Sequence, residues 1–182
     1  MLAEGKEEVK GIKFRFSTKI IAEIAVFVAL ATILSYIKIF RLPQGGSVTA
    51  ASMVPILWLA LRRGPKVGLF AAVLYGIVQL VVDPMAYHPV QVLLDYPIAF
   101  GMLGFAGFFQ NRPYIGTSLA ILGRFVAVFL SGTIFFASWA PEGMNPAVYS
   151  AIYNGGYLLV ELVISIYVIY LLRTSKVLKI YL

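Results

Sequence analysis

The sequence predicts an all-α integral membrane protein, a six-transmembrane-helix bundle with both termini cytoplasmic. Three observations predict it. Hydrophobic residues make up 60% of the 182 and charged residues only 13%, about half the usual charge of a soluble domain. The mean hydropathy is +0.88, and the apolar residues fall in runs near the roughly 20 residues that cross a bilayer. The Lys and Arg residues fall almost entirely on alternate loops. This composition excludes an ordinary soluble globule and a disordered chain. With no cysteine, a disulfide framework and a thiolate metal site are excluded as well.

Residues 1–19 are polar and basic (Lys6, Lys10, Lys13, Arg15, Lys19) and read as a cytoplasmic N-terminal segment. They look like the charged start of a signal peptide, but the apolar run 20–40 is too long for a signal h-region and reads as a retained helix. Further spans are expected near 48–61, 67–82, 90–109, 116–139 and 147–172, separated by loops rich in Pro and Gly. Spans two and three are short. A single bent hairpin is the alternative, opposed by the polar "LRRGP" at 61–65. The membrane domain then covers 20–172, and 173–182 form a basic cytoplasmic tail. Lys6, Lys10, Lys13, Arg15, Lys19, Arg62, Arg63, Lys66, Arg112, Arg173, Lys176 and Lys179 lie on one side, against Lys38 and Arg41 on the other. This asymmetry orients a multi-pass protein of the cell membrane, with the lipid bilayer as its solvent. The basic excess is topological, so no nucleic acid partner is expected.

Four ionisable residues fall inside spans, where charge is costly: Glu23, Asp95, Arg124 and Glu161. Glu23 follows Lys19 by one turn and reads as an i,i+4 pair at the cytoplasmic edge. At 1.5 Å per residue, Arg124 and Glu161 lie about 22 and 21 Å below the outer ends of their spans. Their shared depth and opposite charge predict a structural ion pair that fixes helix register. Asp95 lies only about 8 Å below its outer end and has no basic partner at that level. Gln91, Ser131, Gly132, Tyr149, Tyr153 and Asn154 reach the same layer. Ser150, Asn154, Tyr157 and Glu161 form one stripe of a helix. The layer reads as a ligand pocket in the outer half, whose lone carboxylate calls for a cation or a hydrogen-bond donor. A polar network that only holds helices together is the alternative.

Three outer loops, 41–49, 82–90 and 140–148, cap this layer and read either as lids or as plain connections, with Tyr87 and Trp139 beside them. His88 reads as a loop brace, since no second metal ligand is spaced near it. Ala25 and Ala29 form a small-xxx-small pair, which taken alone reads as internal packing. Gly101, Gly104 and Gly107 read as sites of close helix approach. No G-x-x-x-x-G-K-[ST], H-E-x-x-H or G-x-S-x-G occurs, so no catalytic residue, cofactor or metal ligand is expected.

Four stretches together resemble the thiamine-specific substrate-binding (S) components of energy-coupling-factor (ECF) transporters, the ThiT/YuaJ family. They are "LPQGGSVTAASMVPI" (42–56), "LRRGPKVGL" (61–69), "HPVQVLLDYPIAF" (88–100) and "FFASWAPEGMNPAVYSAIYNGGY" (135–157). The resemblance implies a non-enzymatic vitamin-binding membrane protein, without cofactor, that captures thiamine or a close relative from outside. It also implies docking on an ECF module of two cytoplasmic ATPases and a transmembrane coupling protein. The family's binding carboxylate falls on Asp95, with Tyr96 beside it; its span-six tyrosine and asparagine fall on Tyr149 and Asn154, and its small span-five residue on Gly132. Its stacking tryptophan falls on Phe136 and a span-five histidine on Val128. Tyr87, Tyr153 and Gln91 complete the expected site. The family's alanine motif for the coupling protein falls on Ala25 and Ala29, in place of internal packing.

Overall fold

Helix starts in this chain are set by proline and short polar caps. The computed structural model describes residues 16–43 and 45–175. The stretches 1–15 and 176–182 of the two expected basic segments lie outside the described residues. Helix α1 spans Thr18–Tyr36, where Ser17 Oγ accepts from the Ile20 amide at 3.4 Å. Strands β1 (Lys38–Arg41) and β2 (Ser47–Thr49) follow. Then come α2 (Val54–Arg63), α3 (Pro65–Val82) and α4 (Pro89–Phe109). Helices α5 (Pro113–Phe135) and α6 (Pro146–Thr174) complete the bundle, with a single 3-10 turn, Ala137–Trp139, after α5. Helices α2 to α6 all carry proline in the first turn, where its missing N–H leaves no bond unmade.

Five of these helices, all but α2, are long and apolar enough to cross a bilayer. Helix α2 has ten residues and a length of about 15 Å, half a hydrocarbon core. The expected span at 48–61 is corrected accordingly. Its first part is β2 and a turn, and only 54–61 are helix. The run 20–40 is corrected too, because α1 stops at Tyr36 and Lys38–Arg41 turn back as a strand. The two strands pair antiparallel, Lys38 with Thr49 and Arg41 with Ser47. Short as it is, α2 sits at the centre of the bundle, with Val54 through Leu61 all buried.

Extended backbone at membrane depth needs partners. Glu161 of α6, 2% exposed, supplies one. Its Oε1 accepts from the Thr49 amide at 2.6 Å and from the Thr49 hydroxyl at 2.7 Å. The expected ion pair of Glu161 with Arg124 is not formed. Arg124 instead lays its guanidinium over the Phe100 ring, 3.9 Å from the centroid, with one NH at the Met53 sulfur. The carboxylate is drawn to the strand because a free amide is a nearer and more demanding partner than a guanidinium already resting on a ring.

Helix α4 changes winding along its length. Leu94–Ile98 form a π turn around Pro97, whose missing N–H breaks the regular ladder. Met102–Phe109 tighten to 3-10 geometry. Gly104 and Gly107 of this stretch lie against the backbones of α3 and of the α2–α3 turn, and Gly101 meets Val73. That turn is Gly64, at φ +82°, a conformation that suits glycine.

The described ends of α1 and α6 lie at the same end of the bundle. Glu23 accepts from Arg63 Nε at 2.7 Å, in place of the expected pairing with Lys19. Arg173 lies over Tyr114, and Gln110 donates to the Arg62 carbonyl. Lys38 and Arg41 sit at the opposite end, beside Asp83.

Removing the Glu161 acceptor should loosen the strand. Glu161→Ala is expected to cost about 2 kcal/mol or more, with Glu161→Gln costing clearly less because it keeps an acceptor. Thermal unfolding in detergent reads this, and equal loss in both variants would deny the strut role.

Candidate functional site

The cavity lies in the end of the bundle that carries Lys38 and Arg41, where α2 is missing. It is lined by side chains from α3, α4, α5, α6 and the β1–β2 turn. Asp95, Tyr96, Gly132, Phe136, Tyr149, Tyr153 and Asn154, all expected from sequence, line it together. Each is put there by its element. The π turn of α4 widens the helix at Asp95 and Tyr96. The α5 helix ends at Phe135, and its C-cap Phe136 faces the mouth. The stripe along α6 presents Tyr149, Tyr153, Asn154 and Tyr157.

Asp95 has one protein hydrogen-bond partner of note, Gln91 Nε2 at 2.6 Å. Gln91 is fully buried, also donating to the Met85 carbonyl and accepting from the Tyr87 amide. It stands behind the carboxylate, one step back from the residues that line the cavity. Tyr87 lies beside the lining residues as well. It is 64% exposed and packs edge-on against Phe136 and Trp139 at the rim. Tyr96 spends its hydroxyl on the neighbouring loop, donating to the Asp83 carbonyl and accepting from the Met85 amide, both at 2.7 Å. Asn154 Nδ2 donates to the Ser150 carbonyl at 3.0 Å, and its Oδ1 accepts from Tyr157 at 3.2 Å. Gly132 permits this contact between α5 and α6: a Cβ there would collide with Ser150 Oγ.

His88 braces its loop, as expected. Its Nδ1 accepts from the Val90 amide at 3.2 Å, and its ring stacks on Phe135. Among the described residues no group of three acidic, His or Cys side chains could hold a metal ion.

Several lining residues escaped the sequence reading: Met85, Phe100, Asp83, Gly46 and Arg124. Asp83 had a legible signal, an acidic residue in a loop expected on the same side as Lys38 and Arg41. It pairs with Lys38 and with Arg41, the latter at 3.1 Å, and so ties β1 to the end of α3. The tip of the hairpin is held from the other side, where Tyr153 accepts from the Gly46 amide at 2.9 Å. Burial alone would raise the Asp83 carboxyl, but the hydrogen bond and charge of Lys38 and the charge of Arg41 outweigh it and hold it below its ordinary value.

This cavity, walled by aromatic rings with Asp95 among them and Asp83 at its hairpin side, meets a clear match among known proteins. The family model described as "Thiamine transporter protein (Thia_YuaJ)" matches residues 21–180. The chain belongs to this family. Among curated relatives, it is 35% identical to the thiamine transporter ThiT of Bacillus subtilis (strain 168) over 173 residues, covering 82% of this chain and 88% of that one. It is 31% identical to ThiT of Lacticaseibacillus paracasei over 179 residues, covering 85% and 87%. A solved structure of ThiT from Listeria monocytogenes superposes with a TM-score of 0.79 at 24% identity, covering 88% of this chain and 96% of that one. That likeness speaks for the fold. The family member described here is thus a thiamine-specific S component of the ThiT/YuaJ type and a multi-pass membrane protein.

The Asp83 clamp leads to a measurable expectation. Because its carboxyl is held low, the clamp contributes fully at neutral pH and is lost only as the pH falls below about 4. Asp83→Asn should speed ligand release by an amount worth about 1 kcal/mol or less, given its partial exposure. Stopped-flow release between pH 5 and 8 should be flat in the parent protein; a steep change in that window would place the closing group elsewhere.

Proposed function

We propose that this chain is the high-affinity vitamin-binding subunit of an ECF-type importer. It takes thiamine from outside and delivers it inward after docking on two ATPases and a transmembrane coupling protein. The observation that carries the reading is the Asp95 carboxyl, in no salt bridge among the described residues, in an aromatic cavity of a chain of the thiamine transporter family. A thiazolium cation needs a counter-charge and π faces in a place with little water. Asp95 supplies the first; Phe136, Tyr149 and Tyr153 supply the second. Asn154 and Tyr149 offer polar groups to an aminopyrimidine, and Val128 leaves one wall of that position apolar. A related pyrimidine ligand is the second candidate, favoured by that apolar wall.

In this reading the chain makes six passes, α2 with its strand counting as one. The end carrying Arg62, Arg63, Arg112 and Arg173 is cytoplasmic by the positive-inside rule, and both termini with it. The cavity then opens outward in the plasma membrane. Binding and transport are its work, not bond-making chemistry. Ala25 and Ala29 are exposed on α1, next to Ala22 and Val26. A small-residue face turned to lipid lets another helix approach closely, which suits a coupling protein.

Two experiments test this. Calorimetry on detergent-purified protein should show saturable thiamine binding below micromolar, also visible as quenching of Trp139 at the cavity wall. Absence of such binding would remove thiamine as the ligand, and a competition panel with pyrimidine analogues would then decide between the candidates. Asp95→Asn should weaken binding by about 2 kcal/mol or more; unchanged affinity would take Asp95 out of the site. For docking, Ala25→Trp and Ala29→Trp should abolish cellular uptake while binding in detergent persists. Normal uptake in both would refute the α1 interface.

A further inference from the structure

The β1–β2 hairpin does not close flush against α6. It is tied to α6 at Gly46, whose amide donates to Tyr153, and at Thr49, whose amide donates to Glu161. Val48, between the two ties, and its cross-strand partner Phe40 line a groove along α6. Pro141 and Met144 of the 140–145 loop line it too. Gly156 opens its floor, since a Cβ added there would meet nothing within 4 Å. The groove has a volume of 530 Å³. On α6 it extends from Tyr149 to Val160, about 16 Å. That is the depth of one leaflet in a hydrocarbon core about 30 Å thick.

The lining selects the chemistry of an occupant. Among the described residues that line the groove, the side-chain polar atoms are tyrosine hydroxyls. Those of Tyr153 and Tyr157 are bonded to Gly46 and Asn154. Ordered water needs several polar partners and finds none to spare here. The surrounding face is continuous with the lipid-facing surface of a multi-pass membrane protein. Phe40 and Ile152 in the groove are exposed, and so are Leu159 and Val163 farther along α6. Spread over its length, the volume corresponds to a width of about 6 Å, too narrow for a helix about 10 Å across. One hydrocarbon chain fits it.

We propose that the groove is a binding site for one acyl chain of a phospholipid, in the leaflet at the cavity end of the bundle. The chain lies on the reverse side of the cavity wall. Tyr149, Tyr153 and Tyr157 line both the cavity and the groove, as a row of rings with centroids 6.0 and 6.1 Å apart. A filled groove packs the backs of these rings and fixes their tilt; an empty one forfeits those contacts. Lipid in the groove and ligand in the cavity therefore favour each other.

Photo-crosslinking tests the site, with the full-length protein in nanodiscs of phosphatidylglycerol that carries a diazirine on its acyl chain. Met144 and Ile152 should be labelled about fivefold or more above Ile134, an exposed residue of α5 at the same end of the bundle. Gly156→Leu, whose side chain would occupy the groove, should bring them down to the Ile134 level. Labelling equal to Ile134 in the parent would overturn the proposal, leaving the groove to bulk lipid or to a partner protein. Excess labelling that persists in Gly156→Leu would overturn it too. The parent comparison decides even where Gly156→Leu does not fold. Calorimetry in detergent reads the link to the cavity with thiamine as probe, and this arm rests on the proposed function. Phosphatidylglycerol added to delipidated parent protein should tighten thiamine binding about fivefold or more and leave Gly156→Leu unchanged. Parent affinity insensitive to lipid would overturn the link. Absence of thiamine binding would overturn the thiamine reading and the link together, while the crosslinking arm still decides the site.

Discussion

The hydrogen bonds from Thr49 to Glu161 are the interaction on which the rest of this structure depends. Lipid offers no partner to an amide, so non-helical backbone survives at membrane depth only against protein groups. Glu161 is such a group, carried into the core by α6. With Thr49 held, the chain can run as a strand where a helix would otherwise stand, and α2 begins only at Val54. The volume that a full helix would have filled becomes cavity. The hairpin that replaces it becomes a wall, clamped at Asp83 and at Tyr153.

Electrostatics follow from this arrangement. A buried carboxylate and a buried guanidinium at one depth are expected to pair, because pairing relieves both of desolvation. Here each has found other company, the carboxylate on a strand amide and the guanidinium on an aromatic face. That division leaves Arg124 Nε and Glu161 Oε2 buried without a hydrogen-bond partner. Asp95 is treated similarly, braced from behind by a buried glutamine while its carboxylate borders the cavity. Asp95, Glu161 and Arg124 thus stand within the bundle with no salt bridge among them, an arrangement that suits binding better than stability.

Much of the site was legible because periodicity and depth are local properties. The stripe Ser150, Asn154, Tyr157, Glu161 follows from 3.6 residues per turn, and counting residues from the outer loops brought Asp95, Gly132 and Asn154 to one layer. What failed to read were features that need a partner from elsewhere. The strand at 47–49 sits in an apolar stretch that reads as helix, and its true state depends on a side chain more than a hundred positions away. Gln91 and Tyr87 share the right level with Asp95, yet the direction each side chain takes is decided by the 83–87 loop folding over α4. Trp139 and Asp83 lie in loops, where no period tells which way a residue faces.

The sequence by itself determined the class, the spans of α1 and α3 to α6 to within a few residues at most ends, and the layer at which polar groups meet. Scarce charge in long apolar runs admits few other solutions, since every backbone group in lipid must bond within its own segment. The tertiary structure alone decided that one expected span begins as strand and turn, that Arg124 and Glu161 take separate partners instead of each other, and that Lys38 and Arg41 pair with Asp83. Those outcomes hang on contacts between distant segments, where several partners compete for the same buried charge and only the packed geometry selects among them.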